Sequence, residues 1–207
     1  MDKKELQNPA LYTNRELSWL LFNKRVLSEA RDKQLLLFER LKFLSITASN
    51  LDEFFMVRIG SLVDMIHAEY TKKDIAGMSA KEQLDALMEE THKFAALQYS
   101  TYNRMLLPQL RANGLNFVEH HEQLTERQAQ YVDEYFEENV YPVLTPMAVD
   151  SSRPFPLIRN KTLNIGALVA KKGEKDTEIE FATVQVPSVL PRVVRIPAAK
   201  EGDTEVA

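Results

Sequence analysis

The stretch "TASNLDEFFMVRIGSL", residues 47–62, sets an amide, two acids and an arginine among large apolar side chains. An asparagine can donate and accept hydrogen bonds without carrying charge, so Asn50 can start a helix, hold a polar ligand, or do both. If a helix begins at Leu51, Asn50 is its N-cap and Glu53 its third residue, and the two side chains satisfy orphan amides reciprocally. Asp52 and Glu53 would then also sit at the positive end of the helix dipole. Capping leaves Arg58 unexplained. Phe55, Arg58 and Leu62 are three and four residues apart, so the guanidinium rises from an apolar face and needs a partner. Glu53, Asp52 or Glu69 would supply an ion pair; the alternative is that Arg58 supports a ligand site near Asn50.

Other chemistry-bearing residues form weaker patterns. The histidines are His67, His92, His120 and His121, and only the pair in "VEHHEQ" is close in sequence. Adjacent side chains of an extended segment diverge, so solvated loop histidines are expected rather than a metal site. Asp133, Glu134, Glu137 and Glu138 fall one turn apart on an outer helical face, which predicts a solvated surface rather than a divalent-cation site. Trp19, Phe22, Phe38, Phe43, Phe54 and Phe55 could offer a base-stacking surface, but their helical spacing favours a core. Six scattered glycines build neither a Walker loop nor a dinucleotide fingerprint, and no nucleophile elbow occurs. No catalytic or metal-binding residue is assigned from the residues alone.

The elements that must position Asn50 are helical. Leu17, Leu20 and Leu21, then Leu84, Leu87, Met88, Leu97 and Met105, recur at helical spacing. Thr13 with Glu16, and Ser79 with Glu82, fit capping boxes. Helices are expected at about 14–31, 34–48, 51–70 and 80–111, with Pro108 kinking or shortening the last and Gly114 in "RANGLNF" suiting its C-terminal cap. Only two glycines and two prolines precede residue 113, whereas the other seven prolines lie from Pro142 onward. The chain therefore changes character near residue 113.

Beyond that point "LNFV" reads as a strand, and Thr125 with Gln128 opens a helix, "ERQAQYVDEYFEENV", that Pro142 closes. "PVLTPMAVDSSRPFP" is expected to be irregular, because repeated proline blocks helix and central strand. "LNIGALVA", "IEFATVQV" and "RVVRIP" are strand candidates, "KKGEKDTE" a polar turn, and "PAAKEGDTEVA" a loop. The predicted fold class is a mainly α helical domain over residues 1–112, followed by a partial α+β domain over residues 113–207. Three strands and one helix make a thin fold whose exposed edges need partners, which suggests a truncated second domain.

Composition bounds the function. Of 207 residues 44% are hydrophobic and 27% charged, which fits a globular chain and argues against extensive disorder. The absence of cysteine excludes disulfides and thiolate metal sites. No signal-like or membrane-spanning apolar stretch is present, so a soluble, cytoplasmic protein is expected. Residues 1–112 carry 16 Lys and Arg against 15 Asp and Glu, and residues 113–207 carry 10 against 15. Neither half has the basic surplus that general nucleic-acid binding requires.

"NRELSWLLFNKRVLSEARDKQLLLFERLKFLSITASNLDEFFMVRIGSL" resembles, nearly end to end, the N-terminal domain of the bacterial polyphosphate kinases that work through a phosphohistidine. "YPVLTPMAVDSSRPFPLIRNKTLNIGALV" and "FATVQVPSVLPRVVRIP" resemble the start of that family's second, or head, domain, so the likeness runs over about residues 12–197. The resemblance implies an enzyme that reversibly transfers the terminal phosphate of ATP to inorganic polyphosphate with Mg2+. It implies ATP or ADP and polyphosphate as partners, and a dimer or tetramer in the full-length, cytoplasmic enzyme, with membrane association open. The family's ATP-binding asparagine before "LDEF" corresponds to Asn50. An uncharged amide suits adenine or ribose and does not repel phosphates. The family's phosphorylated histidine and its phosphate- and magnesium-holding arginines belong to further domains that match nothing here, so the resemblance implies that this chain alone is inactive. A non-catalytic helical assembly module is the competing expectation.

Overall fold

The computed structural model describes residues 5–149, 155–170, 179–199 and 204–206, and its chain divides into two compact units, Met1–Asn113 and Gly114–Ala207. It is a mainly helical unit followed by a small α+β unit, the expected fold class.

In the first unit, α1 spans Arg15–Arg31 and buries Glu16, Leu20, Asn23, Leu27 and Ala30. Their alternating spacing of four and three keeps one stripe facing inward. Asn14, not Thr13, caps this helix: its Oδ1 accepts from the amides of Glu16 and Leu17 at 3.0 and 2.9 Å. Asn14 is 3% exposed and also donates to Asp74 and Gln83, so a tertiary network fixes the cap. The box expected from Thr13 and Glu16 does not form, because Glu16 faces two arginines instead.

The largest departure lies at Asn50. α2 runs over Leu37–Phe54, continues through a π-turn at Phe55–Ile59, and passes directly into α3 at Gly60–His67. No helix starts at Leu51, so Asn50 caps nothing, Glu53 closes no box, and Asp52 and Glu53 are not in a first turn. The local pattern is overridden because Thr47, 0% exposed, and Phe54, 3% exposed, carry one inward stripe across the expected break.

α4, Ala80–Thr101, begins with the expected capping box: Ser79 Oγ accepts from the Glu82 amide at 3.3 Å, and Glu82 accepts from the Ser79 amide at 2.7 Å. A second π-turn, Tyr102–Leu106, joins it to α5, Leu107–Ala112. Pro108 has no N–H and its ring would strike the carbonyl four residues back; the widened turn just before it relieves both without ending the helix. Gly114 follows with φ +78°, a conformation that favours glycine.

α1 packs against α2 and α4, and α3 against α4. One apolar cluster joins Leu20, Phe54, Ile59, Leu62 and Leu87, with Trp19 and Phe55 against it; another joins Leu27, Ala30 and Phe94, with Phe43. Phe22 and Phe38 depart from the expected core, at 53% and 63% exposure.

Among the described residues the second unit holds two sheets. β1, Leu115–Phe117, pairs parallel with β6, Thr204–Val206, which pairs antiparallel with β5, Arg195–Ile196. The expected terminal loop therefore contains a central strand, and the expected strand "RVVRIP" shrinks to two residues. α6, Glu126–Tyr135, starts with the expected Thr125–Gln128 box, and a third π-turn, Phe136–Val140, precedes Pro142. The second sheet has the order β2, Thr145–Val149; β4, Glu180–Val186; β3, Leu163–Val169. β2 corrects the expectation of an irregular proline-rich connection. Pro146 is tolerated because β2 is an edge strand and its missing donor breaks no second ladder. "KKGEKDTE" lies outside the described residues.

Candidate nucleoside-facing site

A cavity of about 360 Å3 opens where α1 meets the junction of α2 and its π-turn. Its wall is Asn50, Trp19, Phe22 and Phe54, completed by Arg15, Glu16, Glu53, Val57 and Arg58. Four of these come from α1 at successive turns, and the rest lie on the α2 side. Trp19 stacks on Phe54 with ring centroids 4.3 Å apart and planes 6° from parallel. The stack places a rigid apolar floor beside polar groups, the composition typical of small-molecule sites.

Asn50 is oriented by a buried chain of hydrogen bonds. Asn23, 0% exposed, donates from Nδ2 to the Thr47 carbonyl at 3.1 Å, and that carbonyl can only accept. The Asn23 Oδ1 must therefore accept, and it does so from Asn50 Nδ2 at 3.1 Å. Gln98 Nε2 continues the chain by donating to Thr47 Oγ1 at 2.9 Å. With one N–H of Nδ2 given to Asn23, Asn50 keeps its carbonyl oxygen and its second N–H for the cavity. Such an oxygen recognises donors: an exocyclic amine or a hydroxyl.

Arg58 does not pair with Glu53, Asp52 or Glu69. Its Nε faces Glu16 Oε2 at 3.9 Å, beyond hydrogen-bonding distance. Glu16, whose side chain is 8% exposed, bonds through Oε1 to Arg15 Nε and Nη2 at 2.9 and 2.6 Å. One buried carboxylate thus holds Arg15 firmly and Arg58 loosely, which leaves the Arg58 guanidinium available to an anion. Arg15, Glu16 and Arg58 also line a neighbouring cavity of about 350 Å3 that contains Lys72 and Lys73, so these three residues form a wall common to both.

The π-turn at Phe55–Ile59 differs from the other two because no proline follows it. It adds a residue to the helix between Phe54 in the floor and Leu62 in the core, and it carries both Val57 and Arg58. π-turns of this kind concentrate at functional sites.

Sequence reasoning placed Asn50 and Arg58 near one another, and the structure brings both into one cavity. It missed Arg15, Glu16 and Asn23. Asn23 had one signal: a polar residue in the buried stripe of α1.

The other candidates stay apart. His121 Nε2 lies 3.2 Å from Asp133 Oδ1 on the surface of the second unit. Asp133, Glu134, Glu137 and Glu138 are exposed. Among the described residues no group of three His, Asp or Glu side chains converges as a metal site, and no helix is long and apolar enough to cross a membrane.

Comparison with known proteins gives this geometry a family. The polyphosphate kinase N-terminal domain matches residues 12–118, and the polyphosphate kinase middle domain matches residues 127–207. Polyphosphate kinase of Lactiplantibacillus plantarum is 53% identical over 188 residues, covering 91% of this chain and 26% of that protein. Polyphosphate kinase of Halalkalibacterium halodurans is 47% identical over 194 residues, covering 93% and 27%. In the crystal structure of polyphosphate kinase from Porphyromonas gingivalis, a region with TM-score 0.78 and 30% identity covers 94% of this chain and 28% of that one. Fold and matches together place the chain among proteins named as polyphosphate kinases. The chain belongs to the polyphosphate kinase family, and it spans about a quarter of the length of these relatives.

Proposed function

We propose that this chain is the N-terminal part of an enzyme that reversibly transfers the terminal phosphate of ATP to inorganic polyphosphate, and that its first unit supplies a wall of the nucleotide pocket. The observation that carries the reading is Asn50, held by Asn23 in the wall of a cavity that also contains an aromatic floor and Arg58. In this reading the oxygen accepts from the adenine amine or a ribose hydroxyl, Trp19 and Phe22 flank the nucleoside, and Arg58 lies toward the first phosphate. Residues 1–112 form the family's N-terminal domain and residues 113–207 the start of its head domain.

The transferring phosphate needs positioned cations and Mg2+ around it. In the proposed enzyme those ligands belong to other parts of the longer protein, and the 207 residues alone do not turn over. In this reading the contribution of the site is binding and orientation. Replacing Asn50 by Ala in a full-length form tests this: the apparent ATP affinity falls, and an unchanged affinity removes the ligand role.

A second reading, a helical assembly module, is favoured by Leu36 and Phe38, 77% and 63% exposed on the first unit. Both roles are compatible in a homo-oligomer. Calorimetry of the chain with ATP and Mg2+ separates them, because a purely structural module releases no heat of binding.

A further inference from the structure

The second unit contains a cavity that the nucleotide reading does not use. β3 and β4 are antiparallel with Leu163 opposite Val186, so the segment entering β3 and the segment leaving β4 meet at one end of the sheet. Each segment makes a turn there: the Thr162 amide bonds the Arg159 carbonyl at 3.4 Å, and the Leu190 amide bonds the Pro187 carbonyl at 3.1 Å. Between them lies a cavity of about 320 Å3, lined by Arg159, Lys161 and Arg192 together with the polar side chains of Thr162, Gln185 and Ser188.

The charge is the distinctive feature. Residues 113–207 carry 10 Lys and Arg against 15 Asp and Glu, yet three of those cations line this cavity and none of the acids does. Neither Arg159 nor Arg192 is ion-paired among the described residues. Gathering unpaired like charges costs repulsion in a unit with an acidic surplus, and an anion spread over several centres offsets that cost. Two guanidiniums with separate forks match a ligand with several phosphoryl groups better than one compact oxyanion. Three flanking hydroxyl and amide groups extend the hydrogen bonding without adding negative charge.

We propose that this turn-lined cavity is an oligophosphate-binding site, in which Arg159 and Arg192 grip successive phosphoryl groups and Lys161 adds charge. The chemistry is a chain of two or more phosphates, from inorganic polyphosphate or from a nucleotide tail. The inorganic source rests on the kinase reading given above.

The test is titration calorimetry of this chain with tripolyphosphate, ATP and orthophosphate in turn, without added metal, using the unaltered protein, R159A/R192A, R159K/R192K and N50A. Circular dichroism checks that each variant folds. Tripolyphosphate binding should weaken at least about tenfold in R159A/R192A, the loss of charge-assisted contacts, and recover in part in the lysine pair. N50A should leave tripolyphosphate binding unchanged, so a failure of the nucleoside site and a failure of this one are told apart. ATP binding that also depends on the arginine pair assigns a nucleotide tail as a source; dependence confined to tripolyphosphate assigns the inorganic chain. Tripolyphosphate affinity within twofold of the unaltered protein in R159A/R192A overturns the proposal, as does orthophosphate binding as tight as tripolyphosphate.

Discussion

Asn50 gives a side-chain N–H to Asn23 across the α1–α2 seam at 3.1 Å, and this bond ties the amide that lines the cavity to a fully buried partner. As a helix cap Asn50 would have used its oxygen locally and turned its nitrogen outward. Held by Asn23, it spends one N–H and keeps its oxygen free of the backbone. In the proposed pocket the nucleoside atom facing that oxygen is a donor. ATP and inosine triphosphate differ along one edge of the base, where the amine becomes a carbonyl and the adjacent ring nitrogen changes from acceptor to donor. In a full-length enzyme ATP is expected to be preferred by about tenfold, the worth of one matched hydrogen bond against an unpaired acceptor. N50A should abolish that preference. A preference that survives N50A assigns the contact to another residue, and a preference absent from the start moves the bond to a ribose hydroxyl, testable with deoxy analogues.

Asn23 acts one step behind. N23A removes the acceptor for Asn50 and the donor for the Thr47 carbonyl at a position that is 0% exposed. Leaving the Asn50 N–H without its acceptor, and the Thr47 carbonyl with its helical bond alone, should lower unfolding free energy by about 1–3 kcal/mol. Urea denaturation measures the loss. A midpoint unchanged within error would mean that water replaces the Asn23 amide.

The contrast between these asparagines and the capping residues shows where sequence reasoning holds. Ser79 and Thr125 were legible as caps because both partners of each bond lie within four residues. Asn50 carried the same local signal, but Thr47 and Phe54 bury the helix on both sides of it, and tertiary packing erased the boundary. Arg58 pointed to a partner, yet Glu16 sits on another helix far back in the chain, where spacing along the sequence carries no information. β6 was invisible for the same reason: Thr204, Glu205 and Val206, too short a run to carry a strand pattern, become a central strand only because β1, in a distant segment, pairs with them. Pro146 misled because proline excludes central strands and not edges.

The α1–α4 contact includes a titratable clasp. Glu90 accepts from Lys24 at 2.7 Å and Lys93 at 2.9 Å, and these bonds, Lys24 first, lower its carboxyl to about 2 from 4.5. A carboxylate with a depressed folded-state pKa stabilises above its unfolded pKa, and that contribution disappears as pH falls from 4.5 toward 2. The Lys24 and Glu90 side chains are each about a third exposed, so the effect is modest and screened by salt. K24M should therefore lower the melting temperature at pH 7 in dilute buffer, with the gap from the unaltered protein closing on acidification and in high salt. A gap independent of pH would assign the effect to packing of the Lys24 stem.

Phe94 reports on the second apolar cluster. It is 0% exposed and packs with Leu27 and Ala30, far along the seam from the nucleoside cavity. F94A should cost about 3–5 kcal/mol, while F94L, which restores part of the volume, should cost markedly less. Guanidinium denaturation of both variants checks the order. Equal losses would mean that ring shape rather than buried volume is what the site requires.

The π-turn at Phe55–Ile59 separates packing from function most directly. It is one residue longer than the α-helical turn it replaces, so removing one residue from it restores regular geometry while Phe54 before it and Leu62 after it keep their places in the core. Val57 is 52% exposed and lines the cavity, which makes it the residue to delete. If the turn exists to present Arg58, the deletion should leave helicity and melting temperature nearly unchanged while raising the ATP KM of a full-length enzyme about tenfold, the loss of one charge-assisted contact. If the turn exists to relieve packing strain, the deletion should unfold the protein or depress its melting temperature with the ATP KM of the surviving fraction intact. The two outcomes are opposite in both readouts, so circular dichroism and steady-state kinetics on one variant decide between them.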